Sequence, residues 1–137
     1  MKTLYESTAS ATGGRNGQVK SEDGVIDLEV RLPQSVGGEK GDFTNPEQLF
    51  ACGYASCFDS ALNIVASMQK LKIDSKTNVS VALNKTENHT YAISAKINVK
   101  IDGVDKDVAQ KLLESAHEIC PFSNATRGNI NVELSLV

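Results

Sequence analysis

Residues 45–68, NPEQLFACGYASCFDSALNIVASM, form the longest apolar stretch of the chain and decide its fold class. Asn45 is a typical helix cap, Pro46 suits the first helical position, and Glu47 favours the positive end of the helix dipole. In the rest of the stretch Asp59 is the only charged side chain. A run this apolar on most of its faces predicts a central, buried helix.

The segments on either side of this helix have the composition or the period-two alternation of strands. These segments are 2–11, 26–32, 79–83, 93–101 and 130–136. Residues 102–120 repeat apolar side chains at helical spacing and stop at Pro121, which predicts a second helix, and residues 121–129 are expected to form a loop. The order β–β–α–β–β–α–β predicts an α+β fold with helices packed against antiparallel sheet.

Length and composition limit the possible classes of protein. A chain of 137 residues favours one domain, 1–137, and its 40% hydrophobic content argues against disorder. The net charge of −3 and the scattered lysines predict neither nucleic-acid nor membrane binding, and Asp59 and Asn63 disfavour a membrane-crossing helix. Because the first ten residues lack an apolar signal segment, and the three cysteines form no CxxC pair, we expect a cytoplasmic protein.

The three cysteines are the candidate reactive side chains. Cys52 and Cys57 lie five residues apart on the predicted helix, so their Cα atoms are about 9 Å apart, which is beyond the reach of a disulfide. Cys57 and Cys120 are distant in sequence, and their spacing neither brings them together nor keeps them apart. A cysteine in an apolar helix is usually an inert hydrophobic residue, and a reactive one needs a fixed cation nearby.

Only three arginines are available as that cation. Arg15 lies in a glycine turn and Arg127 in the predicted loop after the second helix, whereas Arg31 falls on the polar face of a strand and is expected to be solvated. Glu47 precedes Cys57 by ten residues, roughly 15 Å of helical rise, so the two cannot touch within the helix. If they act together, either an arginine contacts both of them or a second, antiparallel subunit brings its Glu47 close to Cys57.

Other site chemistries have weaker support. His117 and Cys120 lie three residues apart on one helix face, but two ligands do not make a zinc site, and no metal or bound cofactor is expected. A hydrolase pair of Cys57 and His117 lacks triad spacing and an oxyanion hole. The glycine-rich segments do not match phosphate-binding loops.

Three stretches together resemble the organic hydroperoxide resistance proteins of the OsmC-like superfamily: ATGGRNG (11–17), TNPEQLFACGYASCF (44–58) and AHEICPFSNATRGNI (116–130). The similarity runs nearly from end to end. It implies an OsmC-like α+β fold, with antiparallel sheets wrapped around central helices in an intertwined homodimer. One departure is Cys52, which replaces a small residue such as alanine and is expected to be buried and silent.

The resemblance also implies an activity, namely a thiol peroxidase that reduces alkyl and fatty-acid hydroperoxides to alcohols. Cys57 takes the place of the peroxidatic cysteine, and Cys120 that of the resolving cysteine, which together form a disulfide. Arg15 and Glu47 match the pair that holds and activates the thiolate. The family's reductant is a lipoyl dithiol, such as dihydrolipoamide, carried on a lipoylated protein.

Two alternatives remain open on sequence alone. A non-enzymatic thiol redox sensor or a ligand-binding module could use the same fold, although no basic patch or DNA-reading element serves a sensor. The broader OsmC branch, with its arginine elsewhere, is a closer alternative. The GGR sequence that contains Arg15 favours the organic hydroperoxide branch.

Overall fold

The computed structural model describes all 137 residues and contains six strands, three α-helices and one short 3₁₀ turn. In chain order they are β1 (Ala9–Thr12), β2 (Gly17–Ser21), β3 (Asp27–Val30), the 3₁₀ turn (Gln34–Val36), α1 (Pro46–Met68), β4 (Asp74–Lys85), β5 (Tyr91–Asp102), α2 (Lys106–Ile119), α3 (Pro121–Thr126) and β6 (Val132–Leu136). The predicted α+β class is confirmed. The chain divides into two compact units, Met1–Leu49 and Phe50–Val137, and a single domain remains a prediction.

The first unit is built on a three-stranded antiparallel sheet in the order β1-β2-β3. The turn between β1 and β2 needs glycine, because Gly13 has a φ of +74° and a Cβ on Gly17 would lie 1.8 Å from the Thr12 carbonyl oxygen. This turn carries Arg15. The first strand is much shorter than the predicted segment 2–11, since only its last residues pair with β2.

Arg31 anchors the glycine-rich loop that follows β3. Its Nε donates to Glu39 Oε1 at 2.6 Å, its Nη1 donates to the Gly17 carbonyl oxygen at 2.9 Å, and its guanidinium lies 4.9 Å from the centre of the Phe43 ring. The side chain is only 20% exposed, so the expectation that Arg31 is solvated was wrong. Alternation along the strand could not reveal that the following loop folds back over its polar face.

The second unit contains the sheet β4-β5-β6. Strands β4 and β5 form a long antiparallel pair, from Asp74 opposite Asp102 to Lys85 opposite Tyr91. Strand β6 runs parallel to β5, so this sheet is mixed rather than antiparallel as expected. The reason is the connection: α2 and α3 carry the chain back to the end of the sheet where β5 began, and such a crossover joins parallel strands.

The hydrophobic core of the second unit lies between α1, β5 and α2. Its fully buried large side chains are Tyr54, Phe58, Leu62, Ile97, Val99, Leu112 and Leu113. Helix α1 therefore buries one face, while Cys52, Ile64 and Met68 on other faces stay exposed in the single chain. By length and hydropathy α1 could cross a membrane, but the core helix of a soluble protein passes the same test.

Local signals explain where the helices begin. The Asn45 side chain accepts a hydrogen bond from the backbone N–H of Gln48 at 2.8 Å, which confirms the predicted cap of α1. Cys120 ends α2 and begins α3, because Pro121 cannot continue one helix but suits the first turn of the next. The predicted loop after Cys120 is therefore helical over its first six residues.

Candidate functional site

Cys57 and Cys120 meet in the second unit. Cys57 lies in the middle of α1 and is half-buried, whereas Cys120 is fully buried at the corner between α2 and α3. Their Sγ atoms are 3.7 Å apart and both thiols are free. Because a disulfide bond is about 2.05 Å long, the sulfurs need to approach by only about 1.6 Å to become bonded. The arrangement can therefore switch between two thiols and one disulfide with little movement.

The surroundings of Cys57 favour its neutral form. Burial raises the pKa of the Cys57 thiol, the backbone N–H of Phe122 lowers it, and the neighbouring Cys120 raises it again, so that the net shift is upward. A thiolate is the nucleophilic form of cysteine. The contacts of Cys57 within the second unit therefore favour the thiol over the thiolate. A reactive Cys57 would need a positive charge nearby to lower its pKa.

Arg15 and Glu47 form a two-pronged ion pair in the first unit. Arg15 Nη1 donates to Glu47 Oε2 at 2.8 Å, and Arg15 Nη2 donates to Glu47 Oε1 at 2.6 Å. The hydrogen bond from Arg15 lowers the pKa of the Glu47 carboxyl, and the same contact raises the pKa of Arg15. The carboxylate thus fixes the plane of the guanidinium, whose remaining edge is free to face an anion.

The structure therefore joins the four predicted site residues in two pairs, Arg15 with Glu47 and Cys57 with Cys120. Sequence reasoning singled out all four residues, but it found neither contact from spacing. Their catalytic roles remain predictions. Cys52, in contrast, is exposed, and the expectation that it is buried is wrong for the single chain, because it lies on a face of α1 that the second unit leaves uncovered.

A network of polar contacts links the helices that carry the two thiols, and the sequence did not predict it. Tyr54 Oη lies 2.9 Å from Ser123 Oγ and 3.1 Å from Thr126 Oγ1, and Ser123 Oγ lies 2.8 Å from His117 Nδ1. Arg127 Nη2 donates to the His117 carbonyl oxygen at 2.7 Å, so this arginine anchors its own loop. One signal was available: Tyr54 and Ser123 lie three residues from Cys57 and Cys120, the spacing of neighbours on one helix face.

Aromatic rings complete the surroundings of the site. Phe122 packs 5.7 Å from Tyr54 and 5.9 Å from Phe50, measured between ring centres. Gly53 makes room for this contact, since a Cβ there would lie 3.1 Å from the Phe122 ring. No group of three or more His, Cys, Asp or Glu side chains is placed to hold a metal ion. The site therefore combines two thiols with an apolar wall, which is formed by the rings of Phe50, Tyr54 and Phe122.

Comparisons with known proteins identify the family of this chain. The model of the OsmC-like protein family matches residues 38–135. The organic hydroperoxide resistance protein of Xanthomonas axonopodis pv. citri is 44% identical over 137 residues, which cover 98% of this chain and 96% of that protein.

Solved structures show the same likeness. The crystal structure of an organic hydroperoxide resistance protein from Elizabethkingia anophelis has a TM-score of 0.94 and 49% identity, with 99% of this chain and 98% of that chain covered. OhrB of Bacillus subtilis has a TM-score of 0.91 and 42% identity, with 98% of this chain and 100% of that chain covered. The predicted family is confirmed: this chain belongs to the organic hydroperoxide resistance proteins of the OsmC-like family.

Proposed function

We propose that this protein is a thiol peroxidase that reduces organic hydroperoxides to alcohols through Cys57 and Cys120. The observation that carries the proposal is the 3.7 Å separation of the two sulfurs, one on a half-buried thiol and the other on a fully buried one. The names of the relatives support the substrate class, since they describe resistance to organic hydroperoxides.

The reaction balances with the groups of the site and one dithiol. The Cys57 thiolate attacks the terminal, hydrogen-bearing oxygen of the hydroperoxide, the O–O bond breaks, and the alkoxide leaves and takes up a proton as the alcohol. Cys57 is now a sulfenic acid. Cys120 attacks its sulfur, a disulfide forms and water leaves. A lipoyl dithiol, free or carried on a lipoylated protein, then reduces the disulfide by two exchange steps and is itself oxidised.

Arg15 is proposed to supply the positive charge that Cys57 lacks, and Glu47 to hold the guanidinium in place. The two-pronged contact supports the second role, because it fixes the direction of the guanidinium. A cation beside the thiol would lower its pKa and oppose the effect of burial.

The family resemblance implies an intertwined homodimer, and uncovered apolar side chains support it. Ile64 and Met68 on α1, and Ile26, Leu28 and Leu32 around β3, are exposed in the single chain. Ile64 and Met68 are one helical turn apart, so they share a face of α1. Ile26 and Leu28 are two residues apart at the start of β3, so they also share a face. Exposed apolar faces are typical of an interface. A reducing cytoplasm is the proposed location, because the cycle begins and ends with free thiols.

The apolar wall supports a preference for bulky substrates. Phe50 and Phe122 pack against the same core as Cys57, and an alkyl chain held against these rings would lose contact with water. Hydrogen peroxide cannot gain from such a contact. We expect kcat/KM for cumene hydroperoxide to exceed that for hydrogen peroxide by at least tenfold, and equal values would count against this preference.

The decisive experiment measures steady-state consumption of cumene hydroperoxide with dihydrolipoamide. Cys57→Ser should abolish turnover and also the first reaction with peroxide, whereas Cys120→Ser should react once and then stop. Cys52→Ser serves as the matched control and should retain wild-type turnover. Full activity in Cys57→Ser would refute the proposal, and a single oxidation without turnover in the wild-type protein would favour the redox sensor.

A further inference from the structure

The segments that carry the two thiols are joined by a chain of buried polar groups. Tyr54 belongs to α1, one turn before Cys57, and its hydroxyl contacts Ser123 and Thr126 on α3. Tyr54 and Ser123 have no exposed surface, and Thr126 is almost completely buried. These hydroxyls are therefore removed from water, and they depend on one another for their hydrogen bonds.

The same chain closes the corner in which Cys120 lies. Ser123 Oγ is 2.8 Å from His117 Nδ1, which connects α3 to the last turn of α2 across the intervening Cys120. Arg127 Nη2 spans the same corner by donating to the His117 carbonyl oxygen. The donors and acceptors of these hydrogen bonds can be assigned consistently. The Tyr54 hydroxyl donates to Ser123 Oγ, and the Ser123 hydroxyl donates to Nδ1 of a neutral His117.

Packing against the core restrains the corner, but hydrophobic contacts have no preferred direction and so define its position along α1 less sharply than hydrogen bonds do. Hydrogen bonds are directional and weaken steeply with distance and angle. With Tyr54 three residues before Cys57 and Ser123 three residues after Cys120, the bond between the two hydroxyls acts next to both sulfurs. Because Cys120 immediately precedes α3, which carries Ser123, a displacement of α3 along α1 would weaken this bond and change the distance between the two sulfurs.

We propose that Tyr54, Ser123 and His117 form a clamp that holds Cys120 at bonding range of Cys57 and so sets the efficiency of disulfide formation. They are positioning residues, since no contact joins their polar atoms to either sulfur. In the proposed catalytic cycle, which this inference extends, the clamp makes Cys120 react with the sulfenic acid before a second peroxide does. It thereby protects Cys57 from oxidation to the sulfinic acid.

Two variants remove the clamp with little change in volume, Tyr54→Phe and Ser123→Ala. Thr77→Val is the matched control, because it removes a hydroxyl that contacts α1 at Asp59 and lies outside the clamp. Each protein is equilibrated with reduced and oxidised glutathione, and the fraction with a Cys57–Cys120 disulfide is measured by thiol alkylation and mass spectrometry. Urea unfolding establishes that each variant is folded.

The equilibrium reports the effective concentration of one thiol toward the other in the native state, which a loss of overall stability alone does not change. We expect about a tenfold fall in Ser123→Ala, which removes the contacts to both Tyr54 and His117 and leaves His117 Nδ1 without its partner. Tyr54→Phe should cause a smaller fall of several-fold, because it removes the link between α1 and α3 but leaves Ser123 bonded to His117. Thr77→Val should stay within twofold of the wild-type value. Unchanged values in both clamp variants, or an equal fall in the control, would overturn the inference.

A second measurement uses peroxide. At a fixed excess of cumene hydroperoxide, the sulfinic acid formed on Cys57 per turnover should rise in the clamp variants by the same factor as the effective concentration falls. The two assays separate this inference from the proposed function. If wild-type protein consumes no peroxide, the proposed function fails while the glutathione equilibrium still tests the clamp, and a wild-type protein that forms no disulfide in that equilibrium overturns the clamp itself.

Discussion

Replacing Glu47 by glutamine tests the ion pair that the proposed mechanism relies on. The variant keeps the size of the side chain and one acceptor oxygen, but it removes the negative charge that both Arg15 nitrogens contact. The Arg15 side chain is 39% exposed and that of Glu47 12% exposed, so solvent weakens the pair. We therefore take the upper end of the range for exposed pairs, about 1 kcal/mol.

The position of Glu47 adds a second contribution. It lies in the first turn of α1, where a negative charge stabilises the helix by roughly 0.3–1 kcal/mol. Together these contributions predict a loss of about 1–2 kcal/mol in the free energy of unfolding at pH 7. For a chain of this length that corresponds to a fall of about 3–8 °C in Tm.

The pH dependence gives the sharper test. Because the hydrogen bond from Arg15 lowers the pKa of Glu47, its stabilisation is fully present above the ordinary carboxyl pKa of 4.5. It is lost as the pH falls through the lower pKa of the folded state. The difference in unfolding free energy between wild type and Glu47→Gln should therefore shrink as the pH is lowered below 4.5.

The assay is urea unfolding between pH 3 and pH 8 at one protein concentration. Glu133→Gln is the control, since its partner Lys96 lies 3.8 Å away and both side chains are well exposed, so it should change stability by less than about 0.5 kcal/mol. If Glu47→Gln is no less stable than this control, or if its loss is the same at pH 3 as at pH 7, the reasoning is refuted. Under the proposed function kcat/KM for cumene hydroperoxide should also fall by at least tenfold.

Three further predictions concern packing, protonation and the anchored loop. Leu112→Ala should lower the free energy of unfolding by about 2–5 kcal/mol in urea titrations, because Leu112 is fully buried and a cavity would remain, whereas a loss below 1 kcal/mol would contradict the described core. Burial, and next the charge of Arg127, lower the pKa of His117, while Glu118 opposes this shift, so the unfolded chain takes up a proton more readily. Stability in urea titrations should therefore fall as the pH drops below about 6.5 and level off below the pKa of the folded state. His117→Asn should flatten this slope, and an unchanged slope would contradict the lowered pKa of His117. Arg31→Met should release the loop of residues 33–44 and raise its rate of limited proteolysis at least fivefold. The control Lys76→Met should not change this rate. Equal rates in wild type and Arg31→Met would show that Arg31 does not anchor the loop.

Elements with strong local signals were predictable from the sequence. The cap at Asn45 and the apolar run placed α1, and alternation placed β4 and β5, because these signals act over a few residues. Helix α3 was missed, since six residues are too few to show a helical period. The direction of β6 was also missed, because it depends on the path of the chain through α2 and α3.

The candidate site, like the fold, has features that the sequence predicts and features that depend on the tertiary structure. The sequence by itself singled out the candidate side chains Arg15, Glu47, Cys57 and Cys120, and helix geometry excluded a bond between Cys52 and Cys57 within one chain. Only the tertiary structure decided that Cys120 lies 3.7 Å from Cys57 and that Glu47 binds Arg15. These contacts join residues far apart in the chain, and no local preference encodes them. They form because burying the apolar faces of the helices and sheets brings distant segments together.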